Sequence, residues 1–251
     1  MRLGKKSKST SYIGALAFLL MWHVCSIVFD SPFIPSIKEV AESWVSIMSG
    51  EVFPSAVYSA SNVIVGVTVS SASMIALSSL YYVFPFIESL LDYVVNACRS
   101  ISPLALYPLF IIVFGIGRDA HVAIIIWATW SGILLTTIKA MRLIDRQIIE
   151  AAELDGASKF QLFTEIVLPI SSPYILSAIR IAIGWGWLSL IASEMIGASK
   201  GLGFMIMNYG QAFLYAKMYA TIFTISLLAY AMNTVFIAIS KFLIGEENES
   251  K

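Results

Sequence analysis

The chain has 251 residues, 58% of them hydrophobic and only 13% charged, and its 16 basic and 16 acidic side chains cancel to a net charge of zero. A soluble domain carries roughly 25% charged residues, so this composition, with a mean hydropathy of +0.82, excludes an ordinary soluble enzyme and puts an integral membrane protein first. The neutral balance offers no electrostatic footprint for nucleic acid, and Cys25 and Cys98, far apart in apolar surroundings, form neither a disulfide framework nor a zinc site.

Residues 1–10 carry Arg2, Lys5, Lys6 and Lys8, and an almost wholly apolar run follows to residue 29. No small-x-small cleavage site follows, and Asp30-Ser31-Pro32 reads as a turn. A retained first span at residues 12–29, basic end in the cytoplasm, is therefore expected over a cleaved signal peptide. Residues 36–48 are amphipathic and are expected to lie along the outer face. The second span, 57–84, is rich in small residues, with Ser55/Ser59 and Gly66/Ser70 as i,i+4 pairs that let helices approach closely in lipid.

The third span, 86–115, is less uniform. Glu88, Asp92, Asn96 and Arg99 fall at i, i+4, i+8 and i+11 and share one helix face. Ser102-Pro103 and Tyr107-Pro108 then interrupt it, because proline lacks a backbone donor and disfavours helix in the residue before it. A break at membrane depth is tolerated only where it is buried in protein or lines a cavity. Charges at that depth cost roughly 2.5–3.5 kcal/mol each on insertion scales. Glu88, Asp92, Asn96 and Arg99 thus fit two readings, an interhelical ion-pair and hydrogen-bond stripe near the cytoplasmic end or part of a translocation path or its gate. The Gly115–Asp119 stretch connects to a fourth span at 121–138, with His121 expected at its interfacial entrance. Neither His121 nor His23 has a second ligand at local spacing, so no metal site is expected, and no catalytic constellation is present.

Residues 150–169 do something an anchor has no need to do: they are polar and helix-forming between long apolar runs. Asp145 is placed to N-cap a helix over 146–154, Gly156 sits where a C′ residue takes positive φ, and Ser158 and Gln161 have capping-box spacing. Pro169 is expected to close the second short helix. The result is a helix–turn–helix elbow in which small Ala151 and Ala152 allow another surface to come close.

The fifth span, 172–193, is expected to begin with Ser172 as N-cap and Pro173 at the first helical position. Ala178, Ala182 and Gly186 make a small-residue stripe, with Arg180 on a different face, either snorkelling to the interface or facing a path. Glu194 ends this span, Gly201-Leu202-Gly203 opens an amphipathic stretch to Phe213, and the last span covers 219–243. With the N-terminus inside, the inner segments hold Arg2, Lys5, Lys6, Lys8, Lys139, Arg142, Arg146, Lys159, Lys241 and Lys251. The outer ones hold Lys38, Arg118, Lys200 and Lys217. Ten against four obeys the positive-inside rule, which expects both termini and the elbow in the cytoplasm.

The pattern Glu150-Ala151-Ala152, three residues, Gly156, nine residues, Ile166-x-Leu168-Pro169 resembles the signature loop of permease subunits of type I binding-protein-dependent ABC importers. Residues 99–109, Phe114 to Gly117, 179–182, 194–198 and 201–203 resemble the nitrate/sulfonate/taurine branch of these permeases; the match over 1–80 is looser, and Ser102 before Pro103 departs from the bulkier context expected there. The resemblance implies an all-α membrane protein of six transmembrane helices, one permease domain over 1–251, with a cytoplasmic coupling loop at 139–169. It implies ATPase coupling through Glu150, Ala151, Ala152, Asp155, Gly156, Ala157, Phe160, Leu168 and Pro169. Asp92, Asn96, Arg99, Pro103, Arg180 and Glu194 are the expected pathway residues. No Gly-x4-Gly-Lys-Ser/Thr loop occurs, so ATP and Mg belong to a partner and no cofactor is expected on this chain, a non-catalytic subunit. Two cytoplasmic ATPase subunits, an extracytoplasmic substrate-binding protein, a second copy of the permease and the bilayer of the cell (inner) membrane are the implied partners and setting. The implied solute is small and anionic, of the nitrate, bicarbonate, sulfonate or taurine class, moved by alternating access. The alternatives are a vitamin precursor on the same machinery or a stand-alone secondary transporter, against which no inverted repeat is seen.

Overall fold

A computed structural model of the protein describes residues 8–29, 31–48 and 50–244. Arg2, Lys5, Lys6, Asp30 and the polar tail with Lys251 lie outside the described residues. Among those described there is no strand. The helices, in chain order, are α1 (Lys8–Phe29), α2 (Ile37–Met48), α3 (Val52–Val83), α4 (Pro85–Cys98), α5 (Pro103–Phe114) and α6 (Arg118–Arg142). They continue as α7 (Arg146–Leu154), α8 (Lys159–Gln161), a π turn (Leu162–Val167), α9 (Leu168–Gly197), α10 (Leu202–Gln211) and α11 (Tyr215–Ile244).

Four described stretches are long and apolar enough to cross a membrane: Val52–Val83, Arg118–Arg142, Lys159–Gly197 and Tyr215–Leu243. A bent pair, Ser89–Cys98 with Pro103–Phe114, makes a fifth if counted as one span, and Leu16–Phe29 is a shorter apolar helix. The third span is therefore two helices meeting at 98°. The break falls at residues 99–102, ahead of Pro103, which takes the first turn of α5. Tyr107-Pro108 makes no second break, contrary to the sequence expectation. Pro108 lies inside α5, where its absent N–H costs only the bond to the Leu104 carbonyl.

The fifth span also departs from expectation. Ser172 caps nothing and Pro173 lies inside a helix already running from Leu168. Pro169 likewise does not end the elbow, because helical backbone is continuous over Lys159–Gly197. Just ahead of Pro169 the chain takes the wider π geometry. A proline ring collides with the carbonyl four residues back, here Glu165, and an opened turn at that point is the usual relief.

α6 and α9 are the central pair, both packed on α3. Small residues set their spacing. A Cβ on Gly66 of α3 would lie 2.6 Å from Cγ2 of Ile125 on α6, and one on Gly186 of α9 would lie 3.2 Å from Val67. Ala178, Ala182 and Gly186 are all buried along this seam. The main core joins Val63, Ile124, Ile125, Leu190 and Leu202, while Met141, Phe163 and Val167 form a separate cluster at the elbow. In lipid such cores gain from dispersion and close fit rather than from expelling water.

Candidate functional site

Three places concentrate polar chemistry: the elbow, the break between α4 and α5, and the end of the bundle away from the elbow.

The elbow is fixed by local capping. The Asp145 carboxylate accepts from the Gln147 N–H at 3.0 Å. At the far end of α7 the Ala157 N–H donates to the Ala152 carbonyl and the Gly156 N–H to the Glu153 carbonyl. That pairing is a Schellman motif, and it needs the left-handed Gly156, whose φ is +87°. Ser158 and Gln161 complete a capping box that starts α8. Glu150 is held by Arg146 one turn back, Nε to Oε1 2.7 Å, an exposed pair whose role is orientation more than stability. α7 buries none of its residues. Ala151 and Asp155 are exposed, Ala152 and Ala157 half-buried, while Leu154 is 90% and Phe160 69% exposed. Leu168, half-buried, and Pro169, exposed, sit in the first turn of α9 instead. Phe163, three residues past Phe160, packs its ring 5.9 Å from that of Tyr82 on α3. The elbow is thus open outside, where apolar Leu154 and Phe160 stand exposed among polar residues, and rooted in α3, α6 and α9 inside.

At the break, Arg99 ends α4 and Pro103 begins α5. Both line a cavity of about 310 Å³ whose other walls are Trp127, Ser131 and Thr136 of α6 and Ala178, Ile181 and Trp185 of α9. Trp127 donates its indole N–H to the Ile101 carbonyl at 3.4 Å, tying the break to α6. Those α6 residues run from the middle of the 25-residue helix into its second half, and Arg99 itself is exposed. Asp92 and Asn96 are not at this cavity. The Asn96 amide donates to the Asp92 carboxylate at 3.0 Å, and Asp92 lines a smaller space of about 110 Å³ with Lys139 and Arg142, nearer the elbow. The side chain of Glu88 lies outside the described residues. Arg180 turns away as well, donating from Nε to Asn233 Oδ1 on α11 at 3.0 Å.

Glu194 lies elsewhere again, 1% exposed at the end of α9 opposite the elbow. Its carboxylate accepts from the Ser59 hydroxyl at 2.8 Å and from the Gly203 N–H at 2.9 Å, while Ser59 accepts from the Leu202 N–H at 3.0 Å. A carboxylate and a serine from two spans thereby cap the first turn of α10. Both glycines of Gly201-Leu202-Gly203 are required for this approach. Gly201 has φ +112° and no room for a Cβ beside the Glu194 carboxylate, and a Cβ on Gly203 would lie 2.5 Å from the Ile191 carbonyl. The neighbouring cluster was missed in the sequence. His121, expected at the interface, is fully buried. Its ring stacks on Tyr107 at 5.6 Å and its Nδ1 lies 2.9 Å from the Ser193 hydroxyl. Only the adjacency of Ser193 to Glu194 pointed to it. Among the described residues no group of three metal-ligating side chains occurs.

Compared with known proteins, residues 64–244 match the family model described as "Binding-protein-dependent transport system inner membrane component". The chain is 29% identical over 232 residues to the taurine transport system permease protein of Escherichia coli K12, covering 89% of this chain and 84% of that one. It is 30% identical over 196 residues to the putative aliphatic sulfonates transport permease protein of the same organism, covering 77% and 74%. It is 26% identical over 201 residues to the nitrate import permease protein of Synechococcus elongatus, covering 75% and 72%. Among solved structures, an inward-facing conformation of the MetNI methionine ABC transporter superposes with a TM-score of 0.69 at 20% identity, over 77% of this chain and 96% of that one.

Proposed function

The chain belongs to the family of binding-protein-dependent transport system inner membrane components, and from that premise we propose how its parts work in an ATP-driven importer. The elbow at 143–161 docks a separate cytoplasmic ATPase, and the Arg99 cavity lies on the path of a small solute with an anionic head. The observation that carries the docking assignment is an exposed Leu154 and Phe160 on a helix pair that capping holds rigid. Burying each side chain against a partner is worth roughly 2–3 kcal/mol. The ten-to-four distribution of basic residues supports a cytoplasmic elbow and cytoplasmic termini. Two copies of the permease, two ATPase subunits carrying ATP and Mg, and an external binding protein make the working assembly.

Closure of the ATPases on ATP pulls on the two elbows. The pull passes through Phe163 and Val167 into Tyr82 and Met141, and so reaches α3, α6 and α9 as rigid elements. Because helix interfaces are bistable packings and not elastic continua, the bundles rock between inward- and outward-open states. The taurine, sulfonate and nitrate permeases among the relatives favour a solute with a small oxyanion head. A stand-alone secondary transporter would have no use for a preset apolar docking pair. Tagged permease co-expressed with its partner ATPase should retain that ATPase on purification and lose it with Leu154→Asp/Phe160→Asp. Equal retention by both forms would overturn the docking assignment.

A further inference from the structure

The same helix cap is built twice in this chain, once with glycine and once with phenylalanine. At the end of α7 the left-handed position is Gly156. At the end of α10 the Phe213 N–H donates to the Gly210 carbonyl at 3.2 Å and the Leu214 N–H to the Tyr209 carbonyl at 2.9 Å. This is again a Schellman motif. Its left-handed residue is Phe213, with φ +58°, the one non-glycine at positive φ among the described residues. Any side chain with a Cβ is strained there, and glycine would close the turn without strain. Packing does not offset the strain, because Phe213 is 75% exposed. A strained residue that its own turn does not need points to a role outside the fold.

The surroundings of Phe213 say what it meets. Its ring stands edge-on to Tyr215 with centroids 6.3 Å apart, and Tyr215 lies 4.9 Å from Phe33 in the α1–α2 connection. One turn along α11, Tyr219 lies 5.7 Å from Trp22 of α1. These rings continue an apolar wall: Leu20, Val24, Val28 and Phe29 of α1 and Phe223 of α11 are all more than half exposed. On a bundle that crosses a bilayer, such a wall faces acyl chains. Residues 31–36 and 202–219 carry a single charged side chain, Lys217, whose Nζ lies 5.9 Å from the centre of the Tyr209 ring. Aromatic rings beside a lysine that can reach headgroups suit the edge of the hydrocarbon layer. We propose that the α10–α11 turn is a membrane anchor, with Phe213 and Phe33 inserted at the boundary of headgroups and acyl chains, at the end of the bundle away from the elbow. Lipid contact holds the strained turn. α10 is then fixed at both ends, by Glu194 within the bundle and by Phe213 in the bilayer.

The test is photocrosslinking of the full-length permease in nanodiscs of phosphatidylethanolamine and phosphatidylglycerol, alone and with liganded binding protein, using Phe213→p-benzoylphenylalanine. Lipid adducts, identified by mass, should be the main product, and the binding protein should leave their yield unchanged. A main adduct with the binding protein or with a second permease copy would overturn the anchor. So would a lipid yield no higher than that of Asp155→p-benzoylphenylalanine on the open elbow. Amide exchange over 212–216 gives a second reading without a photoprobe. Asparagine tolerates the left-handed region, so Phe213→Asn should slow exchange if the backbone turn alone mattered. The anchor predicts exchange about threefold faster or more, because losing the lipid-buried ring outweighs the relief of strain. Exchange equal to or slower than wild type would overturn it. Wild-type exchange over 124–134 certifies that each variant is folded.

Discussion

Removing the Glu194 carboxylate should release the first turn of α10. In Glu194→Ala the Gly203 N–H and the Ser59 hydroxyl, which donate to it at 2.9 and 2.8 Å, lose their acceptor in a fully buried place. An unsatisfied buried donor costs about 1–3 kcal/mol. Taking about 2 kcal/mol for the Gly203 amide alone, hydrogen exchange in the 202–205 peptide should accelerate roughly 30-fold, since 1.4 kcal/mol is a factor of ten. Glu194→Gln should fall between, because its amide oxygen still accepts from Gly203 and its NH₂ can donate to the Ser59 oxygen. It loses only the charge assistance, about 1 kcal/mol or roughly fivefold. The assay is exchange mass spectrometry on the permease in nanodiscs, read against the peptide over 124–134 as an internal standard. Exchange over 202–205 in Glu194→Ala within about twofold of wild type would refute the capping role, given that a 2 kcal/mol loss predicts far more.

Two further perturbations separate local from packing effects. Asp145→Ala removes the N-cap of α7 and should cost about 1 kcal/mol of local stability, seen as about fivefold faster amide exchange over 146–149 with no change in the membrane helices. Gly66→Ala places a methyl 2.6 Å from Ile125 Cγ2 and 2.7 Å from its Cβ, where the neighbour cannot yield without parting α3 from α6. It should lower the melting temperature in detergent, while Gly184→Ala, with nothing within 4 Å, should not. Equal melting of the two would contradict the seam.

What the sequence made legible follows from how far apart the interacting residues are. The elbow was readable because its caps act over two or three residues: Asp145 on Gln147, Ser158 with Gln161, and Gly156 closing its own turn. The break at Pro103 was readable for the same reason. Proline rules misled at Tyr107-Pro108 and at Ser172-Pro173, where the surrounding helices absorb one missing bond and a π turn takes up the ring of Pro169. The Glu194 anchor was out of reach, since Ser59 lies 135 residues away in sequence and His121 lies 72 from Ser193. No periodicity carries such a pairing. Arg180 and Arg99 looked alike as charges in spans, and only tertiary placement sends one to Asn233 and the other to a cavity.

In the proposed importer the elbow couples ATP hydrolysis in a separate subunit to movement of the bundle. Gly156 is the position to change: its φ of +87° is strained for any other residue, yet beyond its chain neighbours no heavy atom lies within 4 Å of where a Cβ would stand, so a side chain begins in open space. The direct measurement is stimulation of ATP hydrolysis by the liganded binding protein, with the full complex in nanodiscs carrying either wild-type permease or Gly156→Trp. In Gly156→Trp basal hydrolysis should persist and stimulation should disappear. Stimulation equal to that of wild type would contradict it.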